Sequence, residues 1–157
     1  LVEDEQGATW RAQADEVTVA TAGPIRGTLC LAGSVRNEAG QRWFSFRLWV
    51  SAFAGLSRLL LEPLVIMDAD RGLIQRLRRL RVVFRPDSGI TAATLGGLAE
   101  TALPARLVQV DDEQVALNGD TQPGQAPGWA EVPGGFAVAL RDFWQQWPKG
   151  FTAEASV

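Results

Sequence analysis

The segment Arg141-Asp142-Phe143-Trp144-Gln145-Gln146-Trp147-Pro148-Lys149 crowds two indoles, two amides and three charges at the exit of an alternating apolar run. Those side chains suit a sugar. Indole faces cover the apolar C–H patches of a pyranose, while planar amides and guanidinium groups bond vicinal hydroxyls or a uronate carboxylate in a fork. We therefore take Arg141, Trp144, Gln145, Gln146, Trp147 and Lys149 as candidate substrate-binding residues. A plainer reading stands beside this one: Phe143 and Trp147 belong to a core, Arg141 pairs with Asp142, and the remainder faces a neighbouring domain.

Reaction chemistry is harder to find. Histidine and tyrosine are both absent, which removes the commonest acid/base group near neutral pH, the commonest metal ligand and the phenol base. Ser34, Ser45 and Ser51 have no histidine to activate them, so a serine triad is excluded within the chain, and no catalytic residue is assigned. Cys30 is the sole cysteine and can form neither a CxxC site nor an internal disulfide; it reads as a small half-buried packing residue. Asp68, Asp70, Asp111, Asp112, Glu113 and Asp120 carry enough oxygen for a calcium ion if their loops converge. Aspartates in turns, however, bond their own backbone, and the expectation is no metal and no cofactor. The arginines at 76, 78, 79 and 81 would suit an acidic polysaccharide or phosphate, or equally a solvated face or a domain contact. With 15 basic and 18 acidic residues the net charge is −3, which argues against a nucleic-acid partner. The longest apolar run, Leu59 to Met67, is interrupted by Glu62 and Pro63 and is too short to span a membrane.

The elements that would position these residues follow from a period of two. Its 157 residues, 46% apolar and 21% charged, suffice for one domain with a real core. Gly27, Leu29, Leu31, Gly33 and Val35 alternate with Arg26, Thr28, Cys30, Ala32, Ser34 and Arg36. After the turn Asn37-Glu38-Ala39-Gly40, the residues Phe44, Phe46, Leu48, Val50 and Ala52 alternate with Ser45, Arg47, Trp49 and Ser51, predicting an antiparallel hairpin. A third strand runs from Arg58 to Met67, where Pro63 belongs at a bulge or an edge. Leu73 to Phe84 fits both periods, and its β-branched end favours a strand. Further strands are predicted at Thr91 to Leu95, Ala105 to Asp111, Gln114 to Leu117, Trp129 to Val132 and Phe136 to Leu140. Gln122 to Gly128 is read as a loop, and Phe151 to Val157 as a strand reaching the chain's end. Many short strands with regular turns predict an all-β protein, an antiparallel β-sandwich, with no linker inside it.

Read as strings, two stretches resemble a known family. Gly135 to Gly150 resembles the end of the central β-sandwich domain of the exo-acting rhamnogalacturonan lyases. Ala22-Gly23-Pro24-Ile25-Arg26-Gly27, the hairpin through Phe44-Ser45-Phe46-Arg47-Leu48 to Gly55, and the Glu3-Asp4 to Gly7 turn are similar to that domain's opening meander. The resemblance implies a supersandwich-like domain over residues 1–157, excised from a longer secreted or periplasmic protein. An N-terminal β domain and a C-terminal α/α-toroid would lie outside the chain. It further implies a pectin-degrading parent enzyme that cleaves uronate-linked glycans by β-elimination, with an acidic polysaccharide as partner and the toroid as intramolecular neighbour. Elimination needs a base for the C5 proton and an acid for the leaving oxygen, and this chain offers only Lys149 and arginines, which places the base on the toroid. The alternative is a stand-alone carbohydrate-binding or structural module gripping glycans through Trp144, Trp147 and Trp129.

Overall fold

The computed structural model describes every residue except Arg71, Leu73, Ser88, Ala99, Ser156 and Val157. Among the described residues there is no helix, and every strand pairing is antiparallel. Contacts divide the chain into two compact units, Leu1–Val83 and Phe84–Val157. The division falls inside the stretch whose pattern ran without a break from Leu73 to Phe84.

The first unit is one six-stranded sheet. Its strands are β1 (Val2–Asp4), β2 (Thr9–Ala22), β3 (Arg26–Arg36), β4 (Arg42–Phe53), β5 (Leu59–Ile66) and β6 (Leu77–Leu80), in the spatial order β5-β4-β3-β2-β1-β6. The predicted hairpin is β3 and β4, and its turn closes where Gly40 N–H donates to Asn37 O at 3.0 Å. Pro63 lies on the edge strand β5 opposite Leu48, as a residue without an N–H requires. The ambiguous stretch does contain a strand: β6 pairs with β1, setting Val2 opposite Leu80.

Register sorts the two faces of this sheet. Cross-strand neighbours share a face, and three successive rows run Val17-Leu31-Leu48-Pro63, Val19-Leu29-Val50-Leu61 and Ala22-Gly27-Ala52-Leu59. The other face carries Thr18-Cys30-Trp49-Glu62 and Thr21-Thr28-Ser51-Leu60. There the Thr28 and Ser51 hydroxyls, both buried, bond each other at 2.9 Å, and the Arg26 guanidinium donates to Ser51 Oγ at 3.0 Å. At the other end of the sheet Val2, Trp10, Val35, Trp43 and Phe44 form a core, with the Trp43 ring 5.0 Å from Trp10 and 5.2 Å from Phe44. Strand β2 bulges between Ala14 and Glu16, and only glycine fits opposite: a Cβ on Gly33 would stand 2.0 Å from Gln13 O.

The second unit is a small β-sandwich. One sheet has the order β11-β10-β9-β14 and the other β13-β12-β7-β8. The strands are β7 (Ala92–Leu95), β8 (Thr101–Ala102), β9 (Ala105–Gln109), β10 (Gln114–Leu117), β11 (Asp120–Pro123), β12 (Trp129–Val132), β13 (Phe136–Ala139) and β14 (Lys149–Ala153). Ala93 and Leu95 from one layer meet Ala105, Leu107, Val115 and Ala153 from the other, with Ala126 and Phe143 closing the core from loops. The antiparallel β-sandwich read from the sequence is present. Local boundaries differ: the last strand starts at Lys149 rather than Phe151, because Lys149 pairs with Gln109 on β9. The loop assigned to 122–128 gives up Gln122 and Pro123 to β11, whose four side chains are all exposed and show no apolar pattern.

Candidate functional site

The segment singled out by composition is the loop from Leu140 to Pro148, joining β13 to β14. It is anchored from below. Phe143 is 2% exposed and stacks on Phe151 with centroids 5.1 Å apart and planes 7° from parallel. The loop reaches that position because Gly128 lies beneath it: an added Cβ would sit 2.4 Å from Leu140 O and 2.5 Å from Phe143 Cβ. The backbone N–H of Leu140 donates to Gly128 O at 2.7 Å and fastens the loop's entry. Asp142 takes a φ of +50, a left-handed conformation that aspartate tolerates, and its carbonyl accepts the Gln146 N–H at 3.0 Å.

Lys149 closes the loop from its far end. Its ammonium donates to Arg141 O at 2.9 Å, to Asp142 O at 3.2 Å and to Gln146 Oε1 at 2.9 Å. An ammonium has three N–H donors, and all three are used. Lys149 is thus a structural clamp whose partners lie in the loop itself. The Gln146 carbonyl oxygen is also engaged, so what Gln146 offers outward is its amide NH2.

The remaining candidates face water. Trp147 is 50% exposed, Trp144 is half-buried, and Arg141 and Gln145 are exposed. The plainer sequence reading therefore divides: Phe143 is a core residue and Trp147 is not. Among the described residues no ion pair joins Arg141 to Asp142. The surface left available is an indole, a guanidinium and two amides on a fixed backbone, which can stack on a sugar ring and bond its hydroxyls or carboxylate.

The other sequence candidates lie on other elements of the chain. Arg76 and Arg78 pair with Glu5 and Glu3, each at 3.1 Å, so half of the arginine run meets the acidic start of the chain. Asp68 accepts from the Ser45 hydroxyl and the Ser45 N–H, both at 2.8 Å, and from Arg42; these bonds, Ser45's first among them, hold its carboxyl below the ordinary aspartate range. Asp111 accepts the Glu113 N–H at 2.9 Å, the self-bonding expected of a turn aspartate. Among the described residues no group of three or more carboxylates or thiols comes together.

Sequence reasoning missed one polar hollow of about 410 Å3 in the first unit, walled by Asp4, Glu5, Trp10, Trp43, Gln75 and Arg76 among others. Both indole N–H groups donate there, Trp10 to Asp4 Oδ2 at 2.9 Å and Trp43 to Gln75 Oε1 at 2.8 Å. The Trp10 bond is the main reason the Asp4 carboxyl titrates below its usual range, assisted by the backbone N–H groups of Ala8, Gln6 and Gly7. Both indoles are at least 95% buried, which leaves little ring face for stacking. No local signal marks the pair, since Trp10 and Trp43 meet only through the sheet.

Comparisons with protein-family models, with curated proteins and with solved structures return no match.

Proposed function

We propose that this chain is a non-catalytic, glycan-contacting β-sandwich domain of an exo-rhamnogalacturonan lyase-like enzyme, secreted or periplasmic, with the loop Arg141 to Lys149 forming one wall of a subsite for a uronate-bearing glycan. The observation that carries the reading is the Lys149 clamp. Its three bonds hold a loop whose outward side chains are Trp147, Arg141 and Gln145. A fixed platform loses little conformational entropy when a ligand docks, and stacking plus a charge-assisted fork is the recognition that an acidic sugar needs. The string resemblance to the lyase family supports the same assignment. The absence of histidine and tyrosine from the chain is consistent with a catalytic base on a following toroid domain.

The test is calorimetric titration of the chain with rhamnogalacturonan oligosaccharides, alongside reduced, uncharged analogues. Binding that weakens at least tenfold in Trp147→Ala and in Arg141→Ala, and that prefers the uronate form, supports the reading. Binding unaffected by both substitutions, or none at millimolar ligand, overturns it for this loop.

A further inference from the structure

The pairing register of the first unit lines up arginines that lie far apart in the chain. Arg36 on β3 stands opposite Arg11 on β2 and opposite Arg42 on β4. Val2 faces Trp10 and Glu3 faces Thr9, so one further step sets Leu1 against Arg11, and Leu1 and Arg81 exchange both backbone bonds at 2.8 Å. Arg81, Arg11, Arg36 and Arg42 thus lie in one line across five neighbouring strands. They share a face. Arg36 and Ser34 both approach Asp15, Arg42 and Ser45 both donate to Asp68, and Ser34 is the register partner of Ser45. At the other end of the line, burial and then the guanidiniums of Arg81 and Arg11 push the Leu1 amino group below its ordinary value, which sets both charges beside it.

Such a row is costly unless something answers its charge, because like charges on directly opposed residues destabilise a sheet. The protein answers half of it. Asp68 is bonded by Arg42, whereas Asp15 stays 3.8 Å from Arg36, beyond hydrogen-bond reach, and the Arg36 Nε, shut off from water, meets no acceptor. In the neighbouring row Glu3 is taken by Arg78 at 3.1 Å. Among the described residues neither Arg11 nor Arg81 has an ion pair, and both are exposed.

We infer that this arginine row is a binding site for a linear acidic polysaccharide, separate from the loop Arg141 to Lys149, with the guanidiniums taking carboxylates and the two aspartates accepting sugar hydroxyls. Five strands at about 4.8 Å stretch the row over roughly 19 Å, a length that calls for an extended anion rather than a single small one. Guanidinium forks suit carboxylates. A nucleic acid, with a phosphate at every link, would be repelled by Asp15, by Asp68 and by the net charge of −3, whereas a glycan spaces its charges between neutral hydroxyls. The choice of a glycan rests on the reading proposed above; the row of charge does not.

The experiment is affinity electrophoresis of the full chain through gels containing polygalacturonate, with neutral dextran gels as the blank and single-stranded oligothymidylate as a competitor. The row variant is Arg11→Gln with Arg81→Gln, which breaks no ion pair. Its control is Arg58→Gln, which removes an exposed charge beside Leu59, at the end of the sheet away from the row. Circular dichroism checks strand content, and the two single variants serve if the double one fails to fold. Polygalacturonate should retard the parent where dextran does not, with the apparent Kd at least tenfold weaker in the row variant and less than twofold weaker in the control. In 1 M salt, where the screening length is about 3 Å, the difference should vanish. A parent that polygalacturonate does not retard, or a folded row variant that binds like the parent, overturns the inference. So does oligothymidylate that displaces the glycan at a lower concentration than galacturonate oligosaccharides. Trp147→Ala with Arg141→Ala, run in the same gels, separates the two sites: loss there alone removes the row and keeps the loop, and loss in the row variant alone does the reverse.

Discussion

The Nζ of Lys149 and the Oε1 of Gln146 lie 2.9 Å apart across the mouth of the loop, and the same ammonium holds the carbonyls of Arg141 and Asp142. A residue that composition marks as a substrate ligand also fixes the loop that carries the others. Lys149→Met should lower stability by about 1.5–3 kcal/mol, the range for bonds to a charged donor, and should weaken glycan binding by loosening the loop. Lys149→Arg should not restore it, because a planar fork cannot serve three divergent acceptors. Denaturant melts combined with titration of both variants check this.

Gly128→Ala should misplace the whole loop. The new methyl would meet Leu140 O and Phe143 Cβ, and Phe143 cannot retreat without leaving Phe151 and the core. Overpacking of this kind costs about 1–3 kcal/mol, and the Trp147 emission spectrum should shift with it. An unchanged melting temperature and an unchanged spectrum would show that the close approach is not needed.

Gln109 is fully buried and spans two loops. Its amide NH2 donates to the carbonyls of Asp111, Gln114 and Gly124, and its Oε1 accepts the Ala126 N–H. Gln109→Leu keeps the approximate volume and removes all of these bonds, while the Gln114 carbonyl keeps the Val110 N–H at 2.9 Å. The expected loss is about 3 kcal/mol, near the top of the range for buried unsatisfied groups, measured by urea unfolding. Gln109→Glu should also destabilise, since its second oxygen cannot donate to those carbonyls.

Acid should unfold the first unit through identifiable groups. Asp4 and Asp68 both titrate below the ordinary 3.8, held there chiefly by Trp10 and by Ser45 respectively. Because the folded pKa is depressed, the unfolded chain takes up protons first. Stability is fully present above the unfolded value and falls as pH drops below it towards the folded one. Melting temperature followed from pH 6 to pH 2 should show this acid limb, and Asp4→Asn should start from a lower plateau and lose less along it.

The chain alone should not perform β-elimination. Elimination products carry a conjugated unsaturated uronate that absorbs in the near ultraviolet, and incubation with rhamnogalacturonan should leave that absorbance flat. With no histidine or tyrosine, and with the Lys149 donors committed to its loop, arginines are what the chain has left to offer as a base for the C5 proton. Steady growth of absorbance that Lys149→Ala abolishes would reverse this conclusion.

The all-β class, the β3–β4 hairpin with its faces, the confinement of Pro63 to a bulge or an edge and the Asp111 turn were legible in the sequence, because each depends on neighbours within a few residues. Strand β2, the longest in the chain at 14 residues, was not. Its apolar positions run Trp10, Ala12, Ala14 and then Val17, Val19; the bulge at Asp15 shifts the phase by one, and a period-two reading loses the thread there. Strand β11 has no apolar residue to reveal it and exists by pairing with β10. At the candidate loop, the sequence supplied the residue types, and only the fold decided their duties. Phe143 and Trp147 are equally apolar by composition, yet one lies under the loop against Phe151 and the other stands in water. That outcome turns on Gly128 and Lys149, which reach the loop from positions distant in the chain or at its far end, and burial is a property of such contacts rather than of residue type.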